Sequence, residues 1–299
     1  TLAQWGFEEN YEPPRLAHGA PDLQGVWSNA VLTPLERPAD LADKPVLTLE
    51  EAQEYERQRL AAADRDTRVD DNEADAAKAY NNFWSEAGNN VVRTLRTSLI
   101  VDPPNGRVPE LTEAAKRKLA ARQAAVKEVP ESYDDLNLTT RCIHFTAPGP
   151  PMSPSVYNNN YQLVQTQDYV LLINEMVHET RIIPLDGRPA LHQSIRQWLG
   201  SSRGRWEGDT LVVETTNRRD EPIFRGSGQN MHLTERFTRV ADDVLLYEFT
   251  VDDPETFTQP WTAQIPSVKA DGLLYEYACH EGNRGMAGIL AGSAAPENR

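Results

Sequence analysis

The chain has 299 residues, 45 of them acidic and 30 basic, for a formal net charge of −15. That balance argues against nucleic acid and anionic lipid as partners, because both require a basic face. Hydrophobic residues make up 39%, and no apolar run approaches the ~20 residues that span a membrane as a helix.

Residues 1–23 contain several prolines and little periodicity, which predicts an arm lying on the surface. The chain starts at Thr1 rather than Met, as expected after removal of a signal peptide or after trimming. Gly25-Val26-Trp27 opens the first strand. Thr48-Leu49-Glu50-Glu51 forms a capping box, with Thr48 as cap and Glu51 at the third helical position, and predicts a helix near 49–63. In the acidic stretch that follows, Asp64, Asp66 and Asp75 invite a calcium-loop reading. Arg68 and Val69 stand where such a loop needs an oxygen ligand and a glycine, so a solvated connector is the better account. Asn90–Val101 reads as a further strand, and Thr112 caps a second helix near 112–127. Residues 145–156 form a Pro- and Gly-rich loop too long for a simple connection, expected to cover something or cross the mouth of a barrel.

From Tyr157 to about Glu281 the pattern changes to short strands between tight turns. The segments are Tyr161–Gln167, Tyr169–Met176, Val177–Pro184, Leu211–Thr216, His232–Val240, Val244–Val251, Trp261–Ile265 and Leu273–Cys279. Apolar and polar residues alternate, as in Leu233, Glu235 and Phe237 against His232, Thr234 and Arg236, the period of an antiparallel sheet with one wet face. Consecutive antiparallel strands favour a barrel, which closes its own edges. The expected fold is mainly β: a lipocalin-like antiparallel β-barrel over 24–281 with helical insertions in the N-terminal half, and a small, polar tail over 282–299.

The nucleophile elbow, the zinc-helix motif, the Walker loop and the dinucleotide fingerprint are all absent. Chemistry is then sought in polar groups that alternation forces onto apolar faces. Glu235 falls between Leu233 and Phe237. His178 shares a face with Val170, Leu172, Met176 and Ile182, and Asn174 joins them. A carboxylate inside a barrel must be paired or see its pKa rise, so Glu235 is either half of an ion pair with an internal arginine or an acid–base group. Glu235 and His178 are the candidate catalytic residues. Asn159, Tyr161, Arg181 and Tyr275 are the candidate ligand-binding residues, although alternation places Arg181 opposite His178, where Glu175 or Glu179 are possible partners. Tyr157–Tyr161 is read either as a side-chain-capped turn or as an amide rim at the barrel mouth. Trp198–Trp206 is read either as a clamp for a carboxylate or a ring or as a loop in which arginine stems cover tryptophans, the second being the expectation.

Cys142 and Cys279 are the two cysteines. They are compatible with two buried thiols, with one disulfide in an exported protein, or with a metal site through the adjacent His144 and His280, whose spacing is not that of a usual zinc site. The disulfide is the expectation. No metal or cofactor is expected.

Pro21-Asp22-Leu23-Gln24-Gly25-Val26-Trp27 resembles the mature N-terminus of a large group of uncharacterised exported bacterial proteins, in which a "PDLSGVW"-like segment follows a signal peptide. Gln24 replaces the usual Ser. The likeness continues through Arg96–Pro104, Tyr157–Asn159, Arg181–Pro189, Gly204–Leu211 and Tyr275–Asn283. It implies export to the periplasm or beyond and carries no activity with it. Gly25-Val26-Trp27 also resembles the G-x-W that opens the first strand of lipocalins, where the Trp plugs the barrel bottom. The expected function is binding of a small, partly apolar organic molecule, with oligomerisation possible. The alternatives are a cofactor-independent acid–base enzyme (lyase, isomerase, cyclase or hydrolase) and a structural or assembly protein.

Overall fold

Alternating residues and tight turns fold this chain into ten strands in the computed structural model, which describes residues 11–67, 81–221 and 224–294. The start of the arm, Asp75 of the acidic stretch and the last residues of the tail lie outside the described residues. The strands are β1 (Gly25–Ser28), β2 (Ile100–Asp102), β3 (Asn160–Gln165), β4 (Tyr169–Asn174), β5 (Thr180–Pro184), β6 (Ser201–Glu207), β7 (Thr210–Thr216), β8 (His232–Ala241), β9 (Val244–Asp252) and β10 (Trp261–Lys269). Their order is β5-β4-β3-β1-β10-β9-β8-β7-β6, every pair antiparallel, with β2 added beside β10. The two outer strands of this order, β5 and β6, face each other across a seam, so the sheet is a nearly closed barrel. Gly204 of β6 makes the seam possible. A Cβ there would stand 2.7 Å from Leu185 Cδ2 and 2.9 Å from Ile183 Cγ2, inside van der Waals contact.

Among the described residues there are three α-helices: α1 (Leu49–Ala63), α2 (Glu113–Ala124) and α3 (Arg284–Ser293). The capping box of α1 forms as the sequence predicts: Glu51 N–H donates to Thr48 Oγ1, and Thr48 N–H donates to Glu51 Oε2 at 2.8 Å. Thr112 caps α2 by accepting from Ala115 N–H at 3.0 Å. No helix among the described residues is long and apolar enough to cross a membrane.

Every second residue of the strands points into the barrel, and these side chains fill it. Trp27, Leu163, Leu172, Leu211, Leu233, Phe237, Tyr247, Phe249 and Trp261 belong to one continuous core and are essentially solvent-free. Burying each of the aliphatic or Phe side chains is worth roughly 1.5–3 kcal/mol. Phe237 stacks on Tyr247 with ring centres 4.9 Å apart, and Phe224 stacks on Trp261 at 5.8 Å, offsets that aromatic quadrupoles favour.

Both ends are plugged. At one end Leu23 N–H donates to Gln165 Oε1 and Gln165 Nε2 donates to the Pro21 carbonyl, which straps the chain across the opening. Trp27 lies fully buried beside this strap, its Nε1–H on the Leu23 carbonyl at 2.9 Å and Arg239 over its ring. At the other end the 145–156 loop enters the mouth. Met152 is part of the core, and its N–H donates to Tyr247 Oη at 3.0 Å.

The structure corrects several element boundaries. Asn90–Val101 is strand only from Ile100. Leu273–Cys279 is irregular and mostly exposed rather than a strand; the last strand ends at Lys269. The arginine-tryptophan segment read as a loop contains β6, whose central Gly204 and charged outer face hide the alternation. The polar tail contains α3. The predicted strand Val177–Pro184 begins only at Thr180, because Val177 and His178 adopt positive φ of 51° and 44°.

Candidate functional site

The mouth of the barrel is formed by the end of β4, the starts of β5 and β6 and the end of β7, and buried charge collects there. Alternation along β5 sends Arg181 inward beside Ile183. Alternation along β8 does the same for Glu235. The two meet: Arg181 Nη1 donates to Glu235 Oε1 at 2.9 Å, and Nη2 donates to Glu235 Oε2. Tyr247 Oη donates to Glu235 Oε1 at 2.8 Å, and Ser202 and Thr215 accept from Arg181 Nη2. Both charges are essentially out of water. Burial by itself would lower the Arg181 pKa, but the Glu235 carboxylate outweighs it and holds the guanidinium above its ordinary value. Burial and the same carboxylate push the Tyr247 phenol well up.

A second pair lies beside the first. His144 Nδ1 meets Glu179 Oε1 at 3.2 Å, and His144 is buried. Burial raises the Glu179 pKa against the opposing pull of His144, Arg218 and Arg181. Arg218 enters from the turn after β7, where Asn217 takes a positive φ of 58° and redirects the chain. Its Nη1 donates to the Pro150 carbonyl in the mouth loop.

Outside this charged floor lies a groove of about 570 Å³ lined by Phe83, Trp84, Glu86, Tyr157, Asn158 and Tyr277. Phe83 is 81% and Trp84 60% exposed. Phe145 meets Tyr277 edge-on at 5.9 Å, so an aromatic pair stands between groove and floor. The disulfide Cys142–Cys279 fixes the segment that carries Tyr277.

Of the residues singled out in the sequence, the structure brings Glu235 and Arg181 together. It does not bring His178 to them. The left-handed residues at 177 and 178 reset the strand phase, so His178 is exposed and its Nδ1–H donates to the Tyr277 carbonyl at 3.1 Å. Ile182, expected on the inner face with it, is 62% exposed. Tyr161 is buried in the barrel, and its hydroxyl donates to Ser267 Oγ at 2.8 Å. Asn159 is buried in the turn before β3, and its amide bonds Ser155 N–H, the Ser155 carbonyl and the Glu86 carbonyl. Tyr275 is 72% exposed on the irregular C-terminal segment.

Sequence reasoning missed Arg218 and Tyr247 at the mouth, Phe83 and Trp84 in the groove, and the pairing of His144, named only as a neighbour of the cysteines, with Glu179, named only as a possible partner of Arg181. Tyr247 was readable from the β9 alternation with Leu245 and Phe249. The others sit in turns and loops, which have no periodicity to read.

No family model matches this chain, and neither a curated protein nor a solved structure does.

Proposed function

We propose that this protein binds a small, partly apolar organic molecule in the aromatic groove at the barrel mouth, in the oxidising setting of the periplasm or the cell exterior. The observation that carries the reading is the exposure of Phe83 and Trp84 on the wall of a groove shared with Tyr157 and Tyr277. Exposed aromatic surface is worth ~25 cal/mol for each Å² that a ligand covers. The groove volume lies within the ~300–1,000 Å³ of small-molecule sites. Glu86 and Asn158 offer the few polar contacts that orient a ligand. The filled bore favours the mouth over the interior as the binding place. The compartment rests on the disulfide, because such bridges persist where the surroundings oxidise.

The test is calorimetric titration of the protein against a panel of small aromatic and alicyclic compounds, repeated with Trp84→Ala. Saturable binding that weakens at least tenfold in Trp84→Ala, with an unchanged melting temperature, is the expected result. Equal binding by both proteins places the site elsewhere, and no binding by either removes the reading.

A second reading, a cofactor-independent acid–base enzyme, draws on the pairing of buried His144 with Glu179. Glu179 holds Nδ1 and leaves Nε2 without a protein partner. That is how a carboxylate orients an imidazole for proton transfer. In this reading His144, rather than the exposed His178, is the base. Turnover of a groove ligand that disappears in His144→Asn while binding persists would favour it.

A further inference from the structure

Two acids at the mouth have partners in contact: Glu235 has the Arg181 guanidinium, and Glu179 has the His144 imidazole. Arg218 has no acid in contact. It is 2% exposed, and among the described residues no carboxylate lies within 4.0 Å of its guanidinium. Its Nη1 reaches only the Pro150 carbonyl, and its Nη2 meets no partner. Burying an unpaired charge carries a large desolvation penalty, which a bound counter-ion removes.

The shortage extends to neighbours at the same end of the barrel. Asn174 Nδ2 and His144 Nε2 are buried without a partner, as is Glu179 Oε2. Asn174 adjoins Glu179 through a backbone bond of 2.9 Å. Buried polar atoms are ordinarily satisfied, so the unmet donors Arg218 Nη2 and Asn174 Nδ2 at this end of the barrel call for an occupant.

The fold also makes room for this arginine. Gly200 has a positive φ of 76°, and a Cβ there would stand 3.0 Å from Arg218 Cγ and 2.5 Å from the Thr216 carbonyl. Together with the turn at Asn217, this lets the Arg218 side chain run inward under the mouth loop instead of out into solvent, where an arginine is ordinarily found.

We propose that Arg218 and Asn174 form a buried site for a small oxyanion of carboxylate size, enclosed beneath the 145–156 loop. The anion places one oxygen on Arg218 Nη2 and another on Asn174 Nδ2, and supplies a countercharge in direct contact with the guanidinium. Glu179 borders the site. This site is distinct from the aromatic groove and does not depend on it.

The test follows the melting temperature of the full chain in sodium formate, acetate, nitrate and phosphate, against chloride at equal ionic strength. Wild-type protein should show a saturable rise of several degrees with formate or acetate that chloride does not give. Arg218→Met should show none. An equal rise in the variant puts the anion elsewhere, and no rise in the wild type overturns the site. If Arg218→Met does not fold, a high-resolution crystal structure of the wild type grown in formate decides. Planar density touching Arg218 Nη2 and Asn174 Nδ2 supports the proposal. An ordered water alone, an empty site, or an adventitious ion only, bound without displacing water from Arg218, rejects it.

Discussion

Glu235 and His178 show how differently two polar residues behave once their surroundings are known. Glu235 accepts three hydrogen bonds in a dry interior, so removing its charge leaves Arg181 buried and unpaired. Glu235→Gln should cost ~3–5 kcal/mol in a denaturant titration. His178→Asn touches one exposed carbonyl contact and should stay within ~0.5 kcal/mol. A small loss at Glu235 would mean that water reaches the pair. Glu179 gives a pH signature. Burial raises its pKa above the ordinary 4.5, so the folded state holds its proton more tightly than the unfolded chain. Stability from this group is therefore greatest at low pH and declines as pH rises from 4.5 through the raised folded value. Glu179→Gln should remove that decline. Several exposed carboxylates with lowered pKa, Asp186 among them, act in the opposite sense at lower pH. The wild-type-minus-variant difference across pH 4–8 isolates the contribution of Glu179.

Among the elements, the seam between β5 and β6 is the least tolerant. Every other neighbouring pair in the barrel order shares a hydrogen-bonded ladder, whereas this one is held by side chains: the bond from Arg181 Nη2 to Ser202 Oγ and the packing of Ile183 and Leu185 over Gly204. Gly204→Val inserts branched carbon where Leu185 already sits closer than contact distance. The expected cost is ~1–3 kcal/mol from overpacking, read as a lower denaturant midpoint. Weakened protection of β5 and β6 amides from hydrogen exchange should accompany it. Unchanged protection in these two strands would show that closure does not depend on this contact. The sequence hid this seam: a glycine flanked by Arg203 and Arg205 resembles a flexible loop, and only the approach of a distant strand explains it.

At the scale of the molecule, two plugs cover the ends of the nearly closed barrel and one bridge holds its C-terminal segment down. The Cys142–Cys279 disulfide spans a sequence separation of 137 residues and ties the C-terminal segment to the turn before the mouth loop. In a chain-entropy model a bridge closing so long a loop stabilises by up to ~5 kcal/mol. The protein denatured without reductant should titrate no free thiol. The double variant Cys142→Ser/Cys279→Ser should lose ~2–5 kcal/mol, with the groove residue Tyr277 the first to loosen. Two titratable thiols in the untreated protein would rule out the bridge.

The sequence by itself determined the mainly β character, the two N-terminal helices with their caps and the inward placement of Glu235. Each of these rests on local physics: a period of two, a capping box, or a carboxylate forced between apolar neighbours. Only the tertiary structure decided which partners those residues meet. Arg181 finds Glu235 across the barrel, 54 positions away in sequence. His178 leaves the interior because two residues with positive φ break the strand phase. The plugged mouth and the exposed aromatic groove arise from loops that carry no periodic signal. Their positions are fixed by strand order and by contacts distant in sequence, which alternation along one strand does not encode.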